Sequence, residues 1–219
     1  GGLWALAVSH DGTRLATVSQ DGTAKVWDLA TDEVVLTLPT GFTDNLLGTC
    51  AAFTPDGKQL LTISGDNSAT LWDLSSGKAL FVLRGHTAVV MSVAISPDGK
   101  LLATSSDDKT VKLWDAATGR EIKTLTGQDG YSIVTAFSPD SKQLFSGNDE
   151  AGLGVAWDIA SGQESFHFSG QGPLVGIEAV AVSPDGARVA TGEFDTTVKL
   201  WDAATGKLLL TLFGHSSQV

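Results

Sequence analysis

The dipeptide Trp-Asp occurs five times in this chain of 219 residues, which contains only six tryptophans in all. The five copies begin at positions 27, 72, 114, 157 and 201, so that successive copies lie 45, 42, 43 and 44 residues apart. Self-similarity at a nearly fixed period is the sequence signature of a repeat architecture, in which each period is one supersecondary unit. The spacing therefore predicts a single structural unit that is copied five times.

A second motif, a four-residue turn, keeps the same spacing. The turns read SHDG at 9–12, TPDG at 54–57, SPDG at 96–99, SPDS at 138–141 and SPDG at 183–186. The first residue of each turn precedes the tryptophan of its repeat by 18 residues, or by 19 in the fourth repeat. Proline presets φ and glycine supplies a positive φ, so the motif indicates a tight reversal of the chain. The two motifs divide the chain into repeats at 1–40, 41–84, 85–126, 127–169 and 170–213, and residues 214–219 open a further repeat.

Each repeat is predicted to contain four short β-strands. In the third repeat the strands read VVMSVAIS, KLLATSS, VKLW and EIKTL, and the segments between them are rich in turn residues. No segment has the length or the period of a helix. The inner strands are apolar or small at nearly every position, which is typical of a sheet covered on both faces. Four-stranded antiparallel sheets that cover one another stack radially, so the predicted fold is an all-β propeller with five blades in this chain.

Charge and composition exclude several classes of partner. The chain has a net charge of −11, and nucleic acids and anionic membranes bind basic surfaces, so neither is an expected partner. No apolar run approaches the length of a membrane span. Cys50 is the one cysteine and has no metal-ligand spacing, and no acidic segment has the length and closing glutamate of a calcium loop. We therefore expect no disulfide, no metal and no cofactor, and a reducing, cytoplasmic environment.

The third repeat shows which family the chain resembles. Its segment GHTAVVMSVAISPDGKLLATSSDDKTVKLWD, residues 85–115, is similar at almost every position to the consensus of the WD-repeat β-propellers, and in particular to bacterial arrays. The resemblance covers essentially the whole chain. It implies that a hydrogen-bonded chain of four side chains holds each blade together, formed in the third repeat by His86, Thr104, Asp108 and Trp114.

The other repeats carry only parts of this implied network. None of the other repeats has a histidine at this position within the chain. In the third repeat His86 follows a glycine, whereas Phe42 follows the glycine in the second repeat and Gln128 follows it in the fourth. In the fourth repeat an extra residue before the tryptophan leaves the turn aspartate open, with Asp149 as the candidate. The remaining implied members are Thr17, Asp21 and Trp27 in the first repeat, Thr62, Asp66 and Trp72 in the second, Trp157 in the fourth, and Thr191, Asp195 and Trp201 in the fifth.

The resemblance favours binding over catalysis. His86, Thr104 and Asp108 have residue types found in nucleophilic triads, but no nucleophile elbow or oxyanion-hole motif accompanies them. We therefore expect no catalytic residue, and a non-enzymatic scaffold that binds protein or peptide on one rim, as a platform for assembly or sensing. The expected contact residues on that rim are Trp4, Gln20, Leu47, Met91, Asp107, Tyr131, Ile133 and Phe194.

A second function stays open from the sequence. A propeller can also serve as an enzyme or a small-ligand binder when carboxylates or histidines line its central channel, because the fold alone does not decide the function. The positions predicted to face the channel are mainly Val, Ala, Ser and Leu, with Glu178 as the exception. An acidic central channel is therefore the alternative to a protein-binding rim.

The two ends of the chain predict an incomplete ring. The chain opens on a first strand, LWALAVS, and closes with GHSSQV, which begins a repeat. Seven blades is the commonest size in the family that the chain resembles, so we expect these five blades to be part of a larger propeller of about seven. The first and fifth sheets would then expose apolar faces meant for neighbours, and we expect the isolated chain to self-associate through them.

Overall fold

The computed structural model describes residues 2–41, 50–126, 130–148, 153–169 and 176–215. In these ranges the chain forms twenty β-strands and no helix, and the strands make five antiparallel sheets of four strands each. Within every sheet, consecutive strands are neighbours, so each sheet is a simple meander. The predicted all-β fold of five four-stranded blades is confirmed. The repeat boundaries stay a prediction, because the segments that join the sheets lie partly outside the described ranges.

The five sheets follow one another along the chain. Sheet 1 contains β1 Leu3–Val8, β2 Arg14–Ser19, β3 Thr23–Asp28 and β4 Glu33–Pro39. Sheet 2 contains β5 Ala51–Phe53, β6 Gln59–Ser64, β7 Ser68–Asp73 and β8 Lys78–Leu83. Sheet 3 contains β9 Val90–Ile95, β10 Leu101–Ser106, β11 Val111–Asp115 and β12 Glu121–Leu125. Sheet 4 contains β13 Ser132–Phe137, β14 Gln143–Asn148, β15 Leu153–Asp158 and β16 Glu164–Ser169. Sheet 5 contains β17 Ile177–Val182, β18 Arg188–Glu193, β19 Val198–Asp202 and β20 Leu208–Leu212.

The SPDG turn between the first and second strands is held by its own side chains. In sheet 3 the Ser96 hydroxyl donates to Asp98 Oδ1 at 2.7 Å and accepts the amide of Leu101 at 2.9 Å. Gly99 has a φ of +71°, a conformation that glycine adopts without steric cost. The same serine-to-aspartate or threonine-to-aspartate bond recurs in the other four sheets. This repeated turn sets the register of each hairpin through local contacts alone.

The aspartate of each Trp-Asp pair ends the third strand and starts the next turn. In sheet 3 Asp115 Oδ1 accepts the hydroxyl of Thr118 at 2.7 Å and its amide at 2.8 Å. These hydrogen bonds stabilise the ionised carboxylate and hold the pKa of Asp115 below its ordinary value. The aspartate therefore belongs to the turn, while the tryptophan beside it belongs to the packing between sheets.

Each sheet packs on the next sheet in the chain through a constant pair of faces. We call the face that carries the tryptophan of the Trp-Asp pair the Trp face, and the other the opposite face. Trp114 of sheet 3 shares a hydrophobic cluster with Leu71 and Leu83 of sheet 2. The ring of Trp201 in sheet 5 lies 5.7 Å, between centroids, from the ring of Phe168 in sheet 4. The Trp face of each sheet thus covers the opposite face of the preceding sheet.

The interface between sheets 4 and 5 is the most aromatic one. Phe145, Phe166 and Phe168 have ring centroids 6.4–6.5 Å apart in tilted pairs. Phe168 occupies a position held by a leucine in the other four sheets, and Gly154 lies across from it on β15. A Cβ on Gly154 would collide with the ring of Phe168. The glycine therefore compensates for the larger side chain, because a packed core tolerates changes that keep its total volume.

Candidate functional site

The implied four-residue network is present in sheet 3. The indole N–H of Trp114 donates to Thr104 Oγ1 at 2.9 Å, and His86 Nε2 lies 2.7 Å from the same hydroxyl. His86 Nδ1 lies 2.8 Å from Asp108 Oδ2, which also accepts the amide of Thr87 at 3.0 Å. The chain of bonds runs from the core to the turn between β10 and β11, and so joins these two strands to the segment that precedes β9.

The chemistry of the partners decides the protonation of His86. An ionised carboxylate only accepts, so Nδ1 carries the proton toward Asp108, and Nε2 accepts the hydroxyl proton of Thr104. The imidazole is buried, and burial lowers its pKa because it disfavours the cation, although the nearby Asp108 acts in the opposite direction. Thr104 is 0% exposed. Its hydroxyl already has a donor and an acceptor in the core, so the set forms a structural network and not an accessible nucleophile.

Titration of His86 gives an expected pH dependence of stability. The ordinary histidine pKa is 6.5, and the folded chain holds that of His86 below it, so the unfolded chain binds the proton more readily between the two values. Stability should therefore decrease as the pH falls through this range. We expect urea titrations at about pH 7.5 and about pH 5.5 to show a larger loss of unfolding free energy in the parent than in His86→Gln. Equal losses in both proteins would contradict this assignment.

Sheet 5 completes the same network with different residues. The indole N–H of Trp201 donates to Thr191 Oγ1 at 2.9 Å, and the Thr191 hydroxyl donates to Glu193 Oε1 at 3.0 Å. Lys199 Nζ donates to Glu193 Oε2 and also to Asp195 Oδ2, the latter at 3.0 Å. Glu193 is 0% exposed and Lys199 is 5% exposed. A buried ion pair thus connects tryptophan and threonine to the turn aspartate, as His86 does in sheet 3.

This substitution was not predicted from the sequence. Glu193 lies two residues after the network threonine and Lys199 two residues before the tryptophan, where sheet 2 has Ser64 and Thr70. The hydroxyls of Ser64 and Thr70 bond each other at 2.9 Å. The signal in the sequence was the pair of opposite charges at two positions that are diagonal neighbours on adjacent strands, since Lys199 pairs directly with Thr191.

The other sheets retain the bond between tryptophan and hydroxyl. The indole N–H groups of Trp27 and Trp72 donate to Thr17 and Thr62 at 3.0 and 2.9 Å. Trp157 donates to Ser146 Oγ at 2.9 Å, and Ser146 was not among the predicted members. The turn aspartates of sheets 1 and 2 accept hydrogen bonds within their own turns, Asp21 from Thr23 and Asp66 from Ser68. Asp66 also forms an ion pair with Arg84 at 2.7 Å. Asp149 lies outside the described residues.

One rim of the sheets brings together the predicted contact residues that precede the turn aspartates and those that lie near the start of the first strands. The turn between the second and third strands meets the segment that leads into the first strand. The connection is a backbone hydrogen bond from the residue before the turn aspartate. The bonds run from the amides of Gln20, Asp107 and Phe194 to the carbonyls of Gly2, Val89 and Gly176, each at 3.0 Å. The rim is therefore built on backbone contacts that leave its side chains to vary.

A bulge at the start of the first strand places a second set of residues at this rim. The register between the first and second strands shifts at Trp4, Met91, Ile133 and Glu178. Bulges re-aim a side chain and are frequent next to binding sites. Glu178 was noted in the sequence only as a channel residue, although it occupies the same bulge position as three predicted contacts. Burial raises the pKa of Glu178 above its ordinary value.

The predicted contact residues differ in how much surface they offer. Tyr131 is 37% exposed, and Lys109 Nζ lies 5.4 Å from the centre of its ring, within the range of a cation–π contact. Trp4 and Met91 are half-buried and pack partly against the core. Gln20 is exposed, and Asp107 and Phe194 are half-buried. Leu47 and the side chain of Ile133 lie outside what the structure describes.

Other chemistry is sparse in the described ranges. No group of three or more His, Cys, Asp or Glu side chains in them is placed to hold a metal ion. Cys50 is buried, and burial raises the pKa of its thiol to about 12. The part of the chain that the structure describes also contains no apolar helix of the length that a membrane crossing requires.

Five four-stranded sheets that pack in chain order through their tryptophan-bearing faces define a β-propeller repeat protein. The family model for the WD domain, G-beta repeat, matches residues 1–28, 34–73, 77–115 and 162–202, which is more than half of the chain. The chain therefore belongs to the WD-repeat family. The longest unmatched stretch, residues 116–161, contains the first three strands of sheet 4, where the repeat has its extra residue before Trp157.

Individual relatives share about one repeat with this chain. An uncharacterized WD repeat-containing protein of Nostoc sp. is 52% identical over 46 residues, which is 21% of this chain and 3% of that protein. The pre-mRNA-splicing factor PRP46 of Kluyveromyces lactis is 50% identical over 44 residues, which is 20% of this chain and 10% of that protein. PRP46 of Saccharomyces cerevisiae is 51% identical over 45 residues, with the same coverage. The matches thus span a tenth or less of these relatives.

Proposed function

We propose that this chain is a non-enzymatic scaffold that binds a protein or an extended peptide on the rim formed by the bulges and the turns before the third strands. WD repeats serve in general as platforms for protein interactions. The observation that carries the proposal is the backbone hydrogen bond at 3.0 Å that links the residue before the turn aspartate to the segment leading into the first strand, in sheets 1, 3 and 5. It supplies a rigid frame on which aromatic and polar side chains vary from sheet to sheet.

The composition of the rim supports a protein partner. Interfaces are enriched in aromatic residues and methionine, and Tyr131, Phe194, Met91 and Trp4 provide both on one rim. Tyr131 with Lys109 combines an apolar ring and a charge, which suits a peptide that carries both apolar and acidic groups. The net charge of −11 supports the exclusion of nucleic acid and anionic membrane as partners.

The cellular setting is also part of the proposal. A single, buried cysteine suits a reducing compartment, and we place the protein in the cytoplasm on that ground. The match to the Nostoc protein supports a bacterial type of array, in which the propeller acts as an assembly or sensing platform. The splicing factors share one repeat with the chain, and no splicing role is proposed.

The rim proposal predicts loss of peptide binding without loss of fold. A random peptide display library panned against the immobilised chain should yield binders that fail to bind Tyr131→Glu and Phe194→Glu. Both side chains lie at the rim, and a charge there opposes burial of an apolar group. Binding is measured by fluorescence polarisation, and the fold by circular dichroism.

A matched control uses an exposed apolar residue at the other rim. Leu29 follows β3 and is 43% exposed, so Leu29→Glu changes the charge by the same amount far from the proposed surface. Selected peptides should bind this variant with unchanged affinity. Equal binding to all three variants, or equal loss in all three, would refute the rim as the binding surface.

A further inference from the structure

Lys109 holds an unusual backbone conformation at the rim. It lies in the turn between β10 and β11 with a φ of +67°, in the left-handed region that glycine adopts at no steric cost. The residues at its position in sheets 1, 2 and 5 are Gly22, Asn67 and Thr196, which also have a positive φ. The turn therefore accepts small residues and does not itself require a lysine. A strained residue that the backbone does not need points to a role for its side chain.

The side chain of Lys109 reaches from sheet 3 to sheet 4. Its ammonium lies 5.4 Å from the centre of the Tyr131 ring, and both residues are exposed. Sheets 3 and 4 each lie between two other sheets of the chain, so both sides of this contact are fully formed in it. In the part of the chain that the structure describes, the ammonium forms no ion pair and no hydrogen bond. Its three N–H donors are therefore open to a group of a bound molecule.

Lys109 is the one Lys or Arg residue on the described part of the rim. The chain as a whole has a net charge of −11, but charges farther away than about 8 Å are screened at physiological ionic strength. The groups near Lys109 therefore decide what it attracts. The carboxylate of Asp108 is 8% exposed and accepts hydrogen bonds from His86 and from its own turn, and Asp107 is half-buried and engaged as well. The cation is thus the exposed charge of this turn.

We propose, on the basis that the rim is the binding surface, that Lys109 and Tyr131 recognise an acidic and an apolar side chain two positions apart in a bound peptide. The ammonium donates to the carboxylate, and the apolar group packs on the exposed part of the ring. Side chains two positions apart in an extended peptide lie on one side about 7 Å apart, which is close to the 5.4 Å between cation and ring. The partner is therefore an extended segment with Asp or Glu, one intervening residue and an apolar residue.

Parallel selections test this specificity. A random peptide display library is panned against the immobilised parent chain and against Lys109→Glu. Peptides selected on the parent should be enriched in Asp or Glu two positions from an aromatic or aliphatic residue. Peptides selected on Lys109→Glu should carry Lys or Arg in place of the acid, because the charge of the site is reversed. The same acidic enrichment on both chains would overturn the inference, and so would its absence on the parent.

A double-mutant cycle locates the contact. Fluorescence polarisation gives the Kd of one selected acidic peptide, and of the same peptide with its acid replaced by the amide, for the parent and for Lys109→Gln. Each single change should weaken binding several-fold, and both together little more than either, because the two groups interact with each other. Additive losses would overturn the proposed pairing.

The same peptides separate this inference from the rim proposal on which it rests. If they bind Tyr131→Glu and Phe194→Glu as tightly as they bind the parent, the rim is not the binding surface, and the inference falls with it. If they depend on Tyr131 and Phe194 but not on Lys109, the rim proposal stands and the inference alone is overturned. Loss of binding in all three variants is the expected result.

Lys109→Asn separates binding from structure. Asparagine is the residue at this position in sheet 2, and it tolerates the left-handed conformation better than lysine does. We expect peptide binding to weaken several-fold with no decrease in melting temperature. Lys58→Gln is the matched control, because it removes an exposed charge from the other rim and should leave binding unchanged. A lower melting temperature with unchanged binding in Lys109→Asn would overturn the inference, as would equal losses of binding in Lys58→Gln and Lys109→Gln.

Discussion

Replacing Trp114 with alanine is expected to lower the free energy of unfolding by about 3–5 kcal/mol, the usual cost of truncating a buried tryptophan. Trp114 is 2% exposed and fills the interface between sheets 2 and 3. The substitution also removes the donor to Thr104, which then lies buried with one bond fewer. Thermal unfolding followed by circular dichroism should show a melting temperature lower by roughly 10 °C or more.

Two variants calibrate this result. His86→Gln should cost less, because it affects the hydrogen bonds and leaves the packing of the indole in place, and a neutral hydrogen bond contributes about 1 kcal/mol. Trp27→Ala should also cost less in the monomer, because Trp27 is only half-buried on the uncovered face of sheet 1. A melting temperature of Trp114→Ala within about two degrees of the parent would contradict the assigned packing role.

Lys199→Met is the second substitution with a large expected effect. It leaves the carboxylate of Glu193, which is 0% exposed, without its cationic partner. Breaking a buried ion pair by removing one member costs about 3–5 kcal/mol, because the remaining charge is not compensated. Chemical denaturation should therefore show a lower free energy of unfolding than in the parent, and amide hydrogen exchange should show sheet 5, and the interface with sheet 4, as the part of the chain most affected.

The double variant Glu193→Ser,Lys199→Thr is the matched control. It places in sheet 5 the neutral pair that sheet 2 has at these positions, where the hydroxyls of Ser64 and Thr70 bond at 2.9 Å. Replacing both members of a buried ion pair leaves no uncompensated charge, which is what makes the removal of one member costly. We expect the double variant to be more stable than Lys199→Met. A double variant as unstable as the single one would show that the cost comes from lost packing and not from an unpaired charge.

Local chemistry is what the sequence by itself determined. Ser96, Asp98 and Gly99 form the turn after the first strand within six residues of chain, and Asp115 and Thr118 form the turn after the third strand within four. The spacing of these residues therefore predicts the hairpins without any knowledge of the neighbouring sheets. Five copies of these turns at a nearly constant period predicted four-stranded blades. The bonds from indole to hydroxyl were implied by the resemblance to the WD-repeat family, and they follow a constant offset of ten residues in four sheets.

Only the tertiary structure decided which residues complete each network and which faces stay uncovered. Glu193 and Lys199 replace a histidine because a side chain on β18 and one on β19 reach the same buried space, a fact of register that no local motif encodes. Glu178 joined the bulge residues for a related reason, since no local motif encodes the register shift at the start of β17. Leu212 has the same residue type as Leu38 and Leu125, yet it is exposed, because burial depends on a neighbouring sheet and not on the residue itself.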